Sequence, residues 1–193
     1  MARQVSAPLP AMAARPLRAD ARRNRERILE AGRKAFADSG RDVQMDEIAL
    51  RAGVGVGTLY RHFPTKEDLV LELIRESVRE FVESTRQALT HDDAWEGLEW
   101  LVRSKADSMA RNHGLRDAMS GVQFADENPW HTPDARSGSE AVLARAREQG
   151  AIRADITVDD FQALMCGLSA AVASGADAGR HADFVLAALR ATA

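Results

Sequence analysis

Residues Gln44 to Leu69 read QMDEIALRAGVGVGTLYRHFPTKEDL, and this stretch decides the fold. Met45, Ile48 and Ala49 recur at helical spacing, Asp46 and Glu47 suit a first helical turn, and Gly53 marks the end. Beyond a short VGV turn the pattern restarts: Leu59 and Phe63, four apart, form an inward pair, and Pro64 stops the helix. Two short helices joined by a glycine-bearing turn are the frame that presents a recognition helix to the DNA major groove. With Leu59 and Phe63 turned inward beside Ile48 and Ala49, Val56, Gly57, Thr58, Arg61 and His62 remain on or near the outward side. Small residues there admit close backbone approach to base edges. Thr58 can donate to a phosphate, Arg61 can reach a guanine edge or a phosphate, and Tyr60 can offer its hydroxyl to the sugar-phosphate chain. Lys66 stands in the first turn of the next helix, where its charge opposes the helix N–H groups unless a phosphate lies between them.

Upstream, Asp20 is a good N-cap for a helix through ARRNRERILEAGRKAFADSG, with Ile28, Leu29, Ala35 and Phe36 on one stripe and Gly40 as a stop. Arg22, Arg23, Arg25 and Arg27 would then crowd its first two turns, against the helix dipole, a conflict that a nearby phosphate backbone relieves. Residues 1–19 are interrupted by Pro8, Pro10 and Pro16, lack the apolar run of a secretory signal, and are expected to form a flexible arm. Arg15 and Arg18 in that arm fit solvation and a minor-groove or phosphate contact equally.

Downstream, Thr65 and Asp68 approximate a capping box opening a helix of about 25 residues, with Leu69, Leu73, Val78, Phe81 and Val82 on its stripe. Helical spacing continues over 93–112, loosens over 114–123, and gives way to the loop-like ADENPWHTPDARSGS at 125–139. A short helix is expected at 139–149, another opening at Thr157 and Asp160, and a last one at HADFVLAALRA, 181–191.

Of 193 residues, 45% are hydrophobic and only 5% aromatic, a balance that favours a helical globular chain. The net charge of −3 speaks against a polyanion partner, but its distribution reverses that reading. Residues 1–66 carry 13 basic and 7 acidic side chains, net +6, and residues 67–193 are net −9. A basic front on an acidic remainder fits a nucleic-acid module joined to something else. No apolar run approaches the roughly 18 residues needed to span a bilayer. One cysteine, Cys166, excludes an internal disulfide and a cysteine-based zinc site; it sits in an apolar helical run as an expected core thiol, and a cytoplasmic setting fits best. His91, His113, His131 and His181 are scattered without metal-ligand spacing, and no nucleophile–base pair, phosphate loop or carboxylate pair stands out. We therefore expect no catalytic residues, metal or cofactor.

Gly40, Ile48, Ala49, Ala52, Gly53, Val54, Gly57, Thr58, Leu59, Tyr60, His62, Phe63, Lys66 and Leu69 together resemble the signature of tetracycline-repressor (TetR) type regulators, across about residues 22–70. The resemblance implies an all-α protein of nine or ten helices: an N-terminal three-helix helix-turn-helix DNA-binding domain, placed at 20–66, and a C-terminal helical ligand-binding and dimerisation domain at 67–193. It implies a homodimer formed by the last two helices, and a transcriptional regulator, most often a repressor, released from a pseudo-palindromic double-stranded operator by a small molecule. Carried over by position, Thr58, Tyr60, His62 and Lys66 become backbone-positioning residues, while Val56, Gly57 and Arg61 become candidates for base contact. Arg22 and Arg23 are added as phosphate contacts. Two departures stand out: Gln44 and Gly55 occupy positions where many members carry Ser or Thr, which removes hydroxyl donors from the phosphate contacts. Trp100, Met109, Met119, Phe124, Trp130, Phe161 and Met165 are core residues or, if the resemblance extends that far, lining of an effector pocket. The small residues of GLSAAVASGADAG suit a dimer seam. A helical adaptor that binds protein through the same surface is the competing reading; it gives no reason for the basic front and predicts salt-insensitive binding.

Overall fold

The computed structural model describes residues 14–112 and 132–191. Among them the chain forms eight α-helices: α1 (Ala14–Ser39), α2 (Met45–Ala52), α3 (Val56–His62), α4 (Lys66–Ala88), α5 (Ala94–Arg111), α6 (Pro133–Glu148), α7 (Val158–Ala173) and α8 (Ala178–Leu189). A 3-10 turn at Gly40–Asp42 follows α1, and the described residues hold only an isolated β-bridge, Ile152 to Arg190.

The first helix begins at Ala14, six residues before the expected Asp20 cap. Pro16 falls in its first turn, where a missing N–H costs no hydrogen bond. Arg22 to Arg27 consequently lie in mid-helix, so the expected conflict with the dipole does not arise. Residues 1–13 of the expected arm lie outside the described residues, as do the side chains of Arg15 and Arg18.

Helix α2 closes on Gly53 in the left-handed conformation, φ 62°, its N–H donating to the Ala49 and Leu50 carbonyls. That reversal sets α3 against α1 and α2. Ile28, Leu29 and Phe36 of α1, Ile48 and Ala49 of α2, and Leu59 and Phe63 around α3 meet in one core. Leu69, Val70, Leu73, Ile74 and Val78 of α4 belong to the same core, so it runs well past residue 66. Side chains of this size contribute about 1.5–3 kcal/mol each on burial, and the core outweighs any helix propensity here. Ion pairs clamp the seam: Arg25 meets Glu72 at 2.9 Å, and Arg33 meets Glu76 at 2.8 Å and Glu80 at 3.0 Å. Each pair is partly exposed and contributes little energy, but together they fix the register of α1 on α4.

A second core gathers Leu98, Leu101 and Val102 of α5, Val142 and Leu143 of α6, Phe161 and Leu168 of α7, and Leu186 and Leu189 of α8. Phe81 of α4 packs against both cores, so the junction lies inside one continuous helix. Thr65 and Thr157 each form the expected reciprocal capping box, with Asp68 and Asp160; such caps contribute about 1 kcal/mol each.

The stretch expected to be a loop is corrected where it is described. Thr132 caps a helix that begins at Pro133, the favoured first position for proline, and runs to Glu148. Its small residues serve packing rather than a turn: a Cβ added at Gly138 would overlap the Thr85 hydroxyl of α4. The absent side chain lets the two helices meet backbone to side chain. Arg145 of α6 then donates to the carbonyls of Leu89 at 2.6 Å and Asp92 at 3.0 Å, and the Gln149 side-chain oxygen accepts from the Ala94 N–H at 2.8 Å. These bonds tie the α4–α5 corner to α6.

Cys166 is exposed, not a core thiol. Helix α7 is apolar almost throughout, so composition could not single out the buried face, which is the Phe161, Met165, Leu168 and Val172 stripe. The last helix starts at Ala178, capped by Asp177 through the Arg180 N–H, three residues before the expected start.

Candidate nucleic-acid interface

The outward face of α3 is built as a lever on the first core. Leu59 is fully buried and Phe63 nearly so, which turns Val56, 40% exposed, and Tyr60, 44% exposed, toward solvent. These two side chains, with Leu59 buried opposite them, define the solvent face of the helix. A Cβ at Gly57 would meet no atom within 4 Å, so the glycine there relieves no crowding inside the protein. Thr58 is half-buried, with its N–H bonded to the Gly55 carbonyl at 2.8 Å. Arg61 is exposed and, among the described residues, pairs with no carboxylate, leaving five guanidinium donors for an outside acceptor.

Other candidates are placed differently from expectation. His62 turns its Nε2 into the protein, buried and without a hydrogen-bond partner among the described residues, its ring 6.4 Å from that of Phe63. It lies three residues beyond Leu59 and so shares the inward side of a short helix. Burial, with Arg61 and Arg25 adding repulsion, holds its pKa below the ordinary histidine value. Lys66 is half-buried, its ammonium donating to the Arg41 carbonyl and lying 5.8 Å from the centre of the Phe36 ring. It fastens the start of α4 to the 3-10 turn. Gln44 is the exposed N-cap of α2 but gives no side-chain cap; its Nε2 donates to the Asp42 carbonyl at 2.8 Å. Gly55 leaves α3 equally without a side-chain cap. Both departures noted in the sequence therefore leave helix starts undecorated.

The arginines of α1 divide by role. Arg22 pairs with Glu26 at 3.5 Å and Arg23 with Asp20, both pairs exposed and weak, so neither cation is committed. Arg25, half-buried, and Arg27, exposed, are both engaged within the protein. Arg25 lies 5.6 Å above the Phe63 ring and holds Glu72, whose burial raises its pKa less than Arg25 and Arg79 lower it. Arg27 donates to the Gly53 carbonyl at 2.9 Å, locking the turn between α2 and α3. Sequence reasoning missed these two positioning residues. The available signal was the four-residue spacing of Glu72, Glu76 and Glu80 opposite Arg25 and Arg33, two turns apart.

Of the pocket candidates, Phe161 and Met165 of α7 lie in the second core, with Trp100 and Met109 of α5 half-buried against it. The Trp100 ring lies 6.0 Å from that of His91 in the α4–α5 connection. Met119, Phe124 and Trp130 lie outside the described residues. No group of three or more metal-ligating side chains occurs among the described residues, and no described helix is long and apolar enough to cross a membrane.

Two family descriptions match the chain: bacterial regulatory proteins of the tetR family over residues 28–73, and the C-terminal domain of SbtR-like transcriptional regulators over residues 93–191. A TetR transcription regulatory protein from Mycobacterium vanbaalenii is 37% identical, with 91% of this chain and all of that one aligned at a TM-score of 0.69. A TetR transcriptional regulator from Streptomyces coelicolor is 33% identical, covering 88% of this chain and 99% of that one at a TM-score of 0.68. An HTH-type transcriptional regulator from Staphylococcus aureus is 33% identical over 56% of this chain, which spans 62% of that relative's length. At 21% identity and a TM-score of 0.60, a regulator from Bacillus subtilis solved in complex with stearoyl-CoA shares the fold, covering 84% of this chain and 95% of that one. The first-third signature, the helical frame behind it and the second helical domain thus agree, and the chain belongs to the TetR family of bacterial DNA-binding transcriptional regulators.

Proposed function

We propose that this regulator is a cytoplasmic repressor that binds a pseudo-palindromic operator as a homodimer and is released by a small molecule. The observation that carries the reading is the face of α3, where Val56, Gly57, Tyr60 and Arg61 are held outward by the buried Leu59. Val56, Gly57 and Arg61 would meet base edges, while Thr58, Tyr60, Arg22 and Arg23 would meet phosphates. Gln44 sits at the rim and offers its side-chain amide. His62 and Lys66, expected to touch the backbone, act in this reading from beneath, by holding α3 and α4 in place.

The second copy would pack on α7 and α8. Phe184 is 55% exposed there, edge-on to His181 at 5.5 Å and under Arg180, beside a groove of about 620 Å³ bordered by Ala163, Leu164 and Gly167. Small residues on one helix and an exposed aromatic on the next suit a symmetric helix-on-helix seam. The fold holds a small molecule in the Bacillus subtilis protein, in complex with stearoyl-CoA. An effector among α4 to α7 would shift α6, and the Thr85–Gly138 contact and the Arg145 bonds would pass that shift to α4 and on to α3. Coupling of this kind is typically about 1–3 kcal/mol and is reciprocal, so operator and effector weaken each other's binding equally.

Footprinting with native mass measurement tests the reading. Two chains protecting two symmetric half-sites about one helical turn apart support it. One chain on a single site would overturn the dimeric operator, and salt-insensitive capture of protein with no DNA footprint would favour the adaptor.

A further inference from the structure

Three polar side chains are buried among the described residues of the whole chain: Thr85, Lys105 and Ser139, on α4, α5 and α6. Two of them are satisfied locally. Thr85 donates to the Val82 carbonyl at 2.7 Å and Ser139 to the Ala135 carbonyl at 2.9 Å, each within its own helix. Lys105 is not. It is 7% exposed, and among the described residues its ammonium meets no carboxylate at ion-pair distance. Its neighbour is the face of the Phe81 ring, 5.5 Å away on α4. The acidic group whose charge it feels, Glu80, is half exposed and already bound to Arg33 at 3.0 Å. One turn to either side on α5, Leu101 is fully buried and Met109 half-buried.

A lysine side chain withdrawn this far from water among apolar neighbours is costly to keep charged unless an anion joins it. Burial accordingly pushes its pKa down, with Glu80 only partly opposing. Phe81 alone, as a cation–π partner, compensates a fraction of lost hydration. A solvated face would use lysine freely; a purely structural core position would use leucine or methionine.

We infer that the effector is an amphiphilic anion, an apolar body carrying one carboxylate or similar head, and that Lys105 is the counter-ion for that head. The inference rests on the ligand-responsive reading above and adds the chemical class. Lys105 lies over Phe81, the residue that packs against both cores, so neutralising its charge would draw α4 and α5 together there.

The test compares matched probes on the full-length protein: decanoate and naphthoate against decanol and naphthalenemethanol, by calorimetry, with operator release read in parallel. The acids should bind at least about tenfold tighter than the alcohols, the lower range for a hydrogen-bonded charge pair. Lys105→Met, which keeps the chain length, should abolish that preference while still binding the alcohols and melting no lower than the parent. Equal affinity for acid and alcohol in the parent protein overturns the proposal, with no variant needed, as does an acid preference that survives Lys105→Met. The two readings separate cleanly. Acids that bind through Lys105 without releasing DNA uphold the anion site and sink the ligand-released repressor. Neutral probes that release DNA as well as acids do the reverse.

Discussion

Replacing Gly57 separates the stability of the free protein from its grip on DNA. Gly57 is the second residue of α3, and a Cβ built on it meets nothing within 4 Å. Its backbone has no positive φ, so an L-side chain is not strained there. Gly57→Leu therefore introduces a better helix former without a clash. In a helix interior the gain would be about 1 kcal/mol; in the first turn we expect roughly half of that. For a chain of this size that raises the melting temperature by about 1–2 °C. On DNA the sign reverses. A leucyl side chain would fill the space through which, in the proposed complex, the α3 backbone approaches the base edges. If it displaces one bidentate contact in each half-site, the loss is about 2–6 kcal/mol for the dimer, or at least thirtyfold in operator affinity. Scrambled DNA, bound mainly through phosphates, should lose much less. Thermal melting and fluorescence anisotropy on operator and scrambled duplexes read the two effects. A variant that melts normally and binds operator within threefold of the parent would refute the placement of this face against bases.

Other consequences are as concrete. Arg61→Ala should weaken operator binding by about 1–3 kcal/mol more than binding to scrambled DNA in parallel titrations, and an equal loss on both would reassign Arg61 to the phosphate backbone. His62 has a lowered folded pKa, so the unfolded chain takes up its proton first; the stability it contributes is complete above about pH 6.5 and is lost as pH falls toward the folded value. Urea midpoints should fall between pH 7 and 5, and His62→Phe should flatten that slope; an unchanged slope would show the ring is not held neutral by the fold. Gly138→Ala must push the Thr85 side chain aside, since its Cβ would overlap both Oγ1 and Cβ of that residue. We expect a loss of about 1–3 kcal/mol in urea unfolding, as for other overpacked core positions, and a neutral result would mean that α4 and α6 are not pressed together.

The fold was legible where periodicity and punctuation coincide. Gly53, the Thr65–Asp68 box and the Leu59–Phe63 pair fix α2, α3 and the start of α4 within a residue or so, because a left-handed turn, a reciprocal cap and an i,i+4 apolar pair each demand particular residue types. The stretch Pro133–Ser139 was misleading. Proline, serine and glycine are read as turn residues, yet here proline starts a helix and glycine serves a contact fifty residues away in sequence. Only the tertiary partner, Thr85, reveals that use. Cys166 was illegible for a related reason, since an apolar helix packed on one side has the same composition on both. In the binding face, the outward set on α3 followed from the inward pair. The inward turn of His62 and the binding of Lys66 to Arg41 did not, because a long or planar side chain can leave the direction its Cβ sets. Arg25 and Arg27 were grouped with the phosphate-seeking arginines because a local charge count cannot see Glu72 or the Gly53 carbonyl across the fold.

The central claim, that the α3 face reads a DNA sequence, is tested most directly by fluorescence anisotropy on the intergenic DNA upstream of the protein's own coding sequence, titrated over salt against a scrambled duplex. The account predicts a preference of about a thousandfold or more for the true sequence and a log–log salt slope near −0.9 per phosphate contacted. Equal affinity for both duplexes at every salt concentration, or binding indifferent to salt, would contradict it.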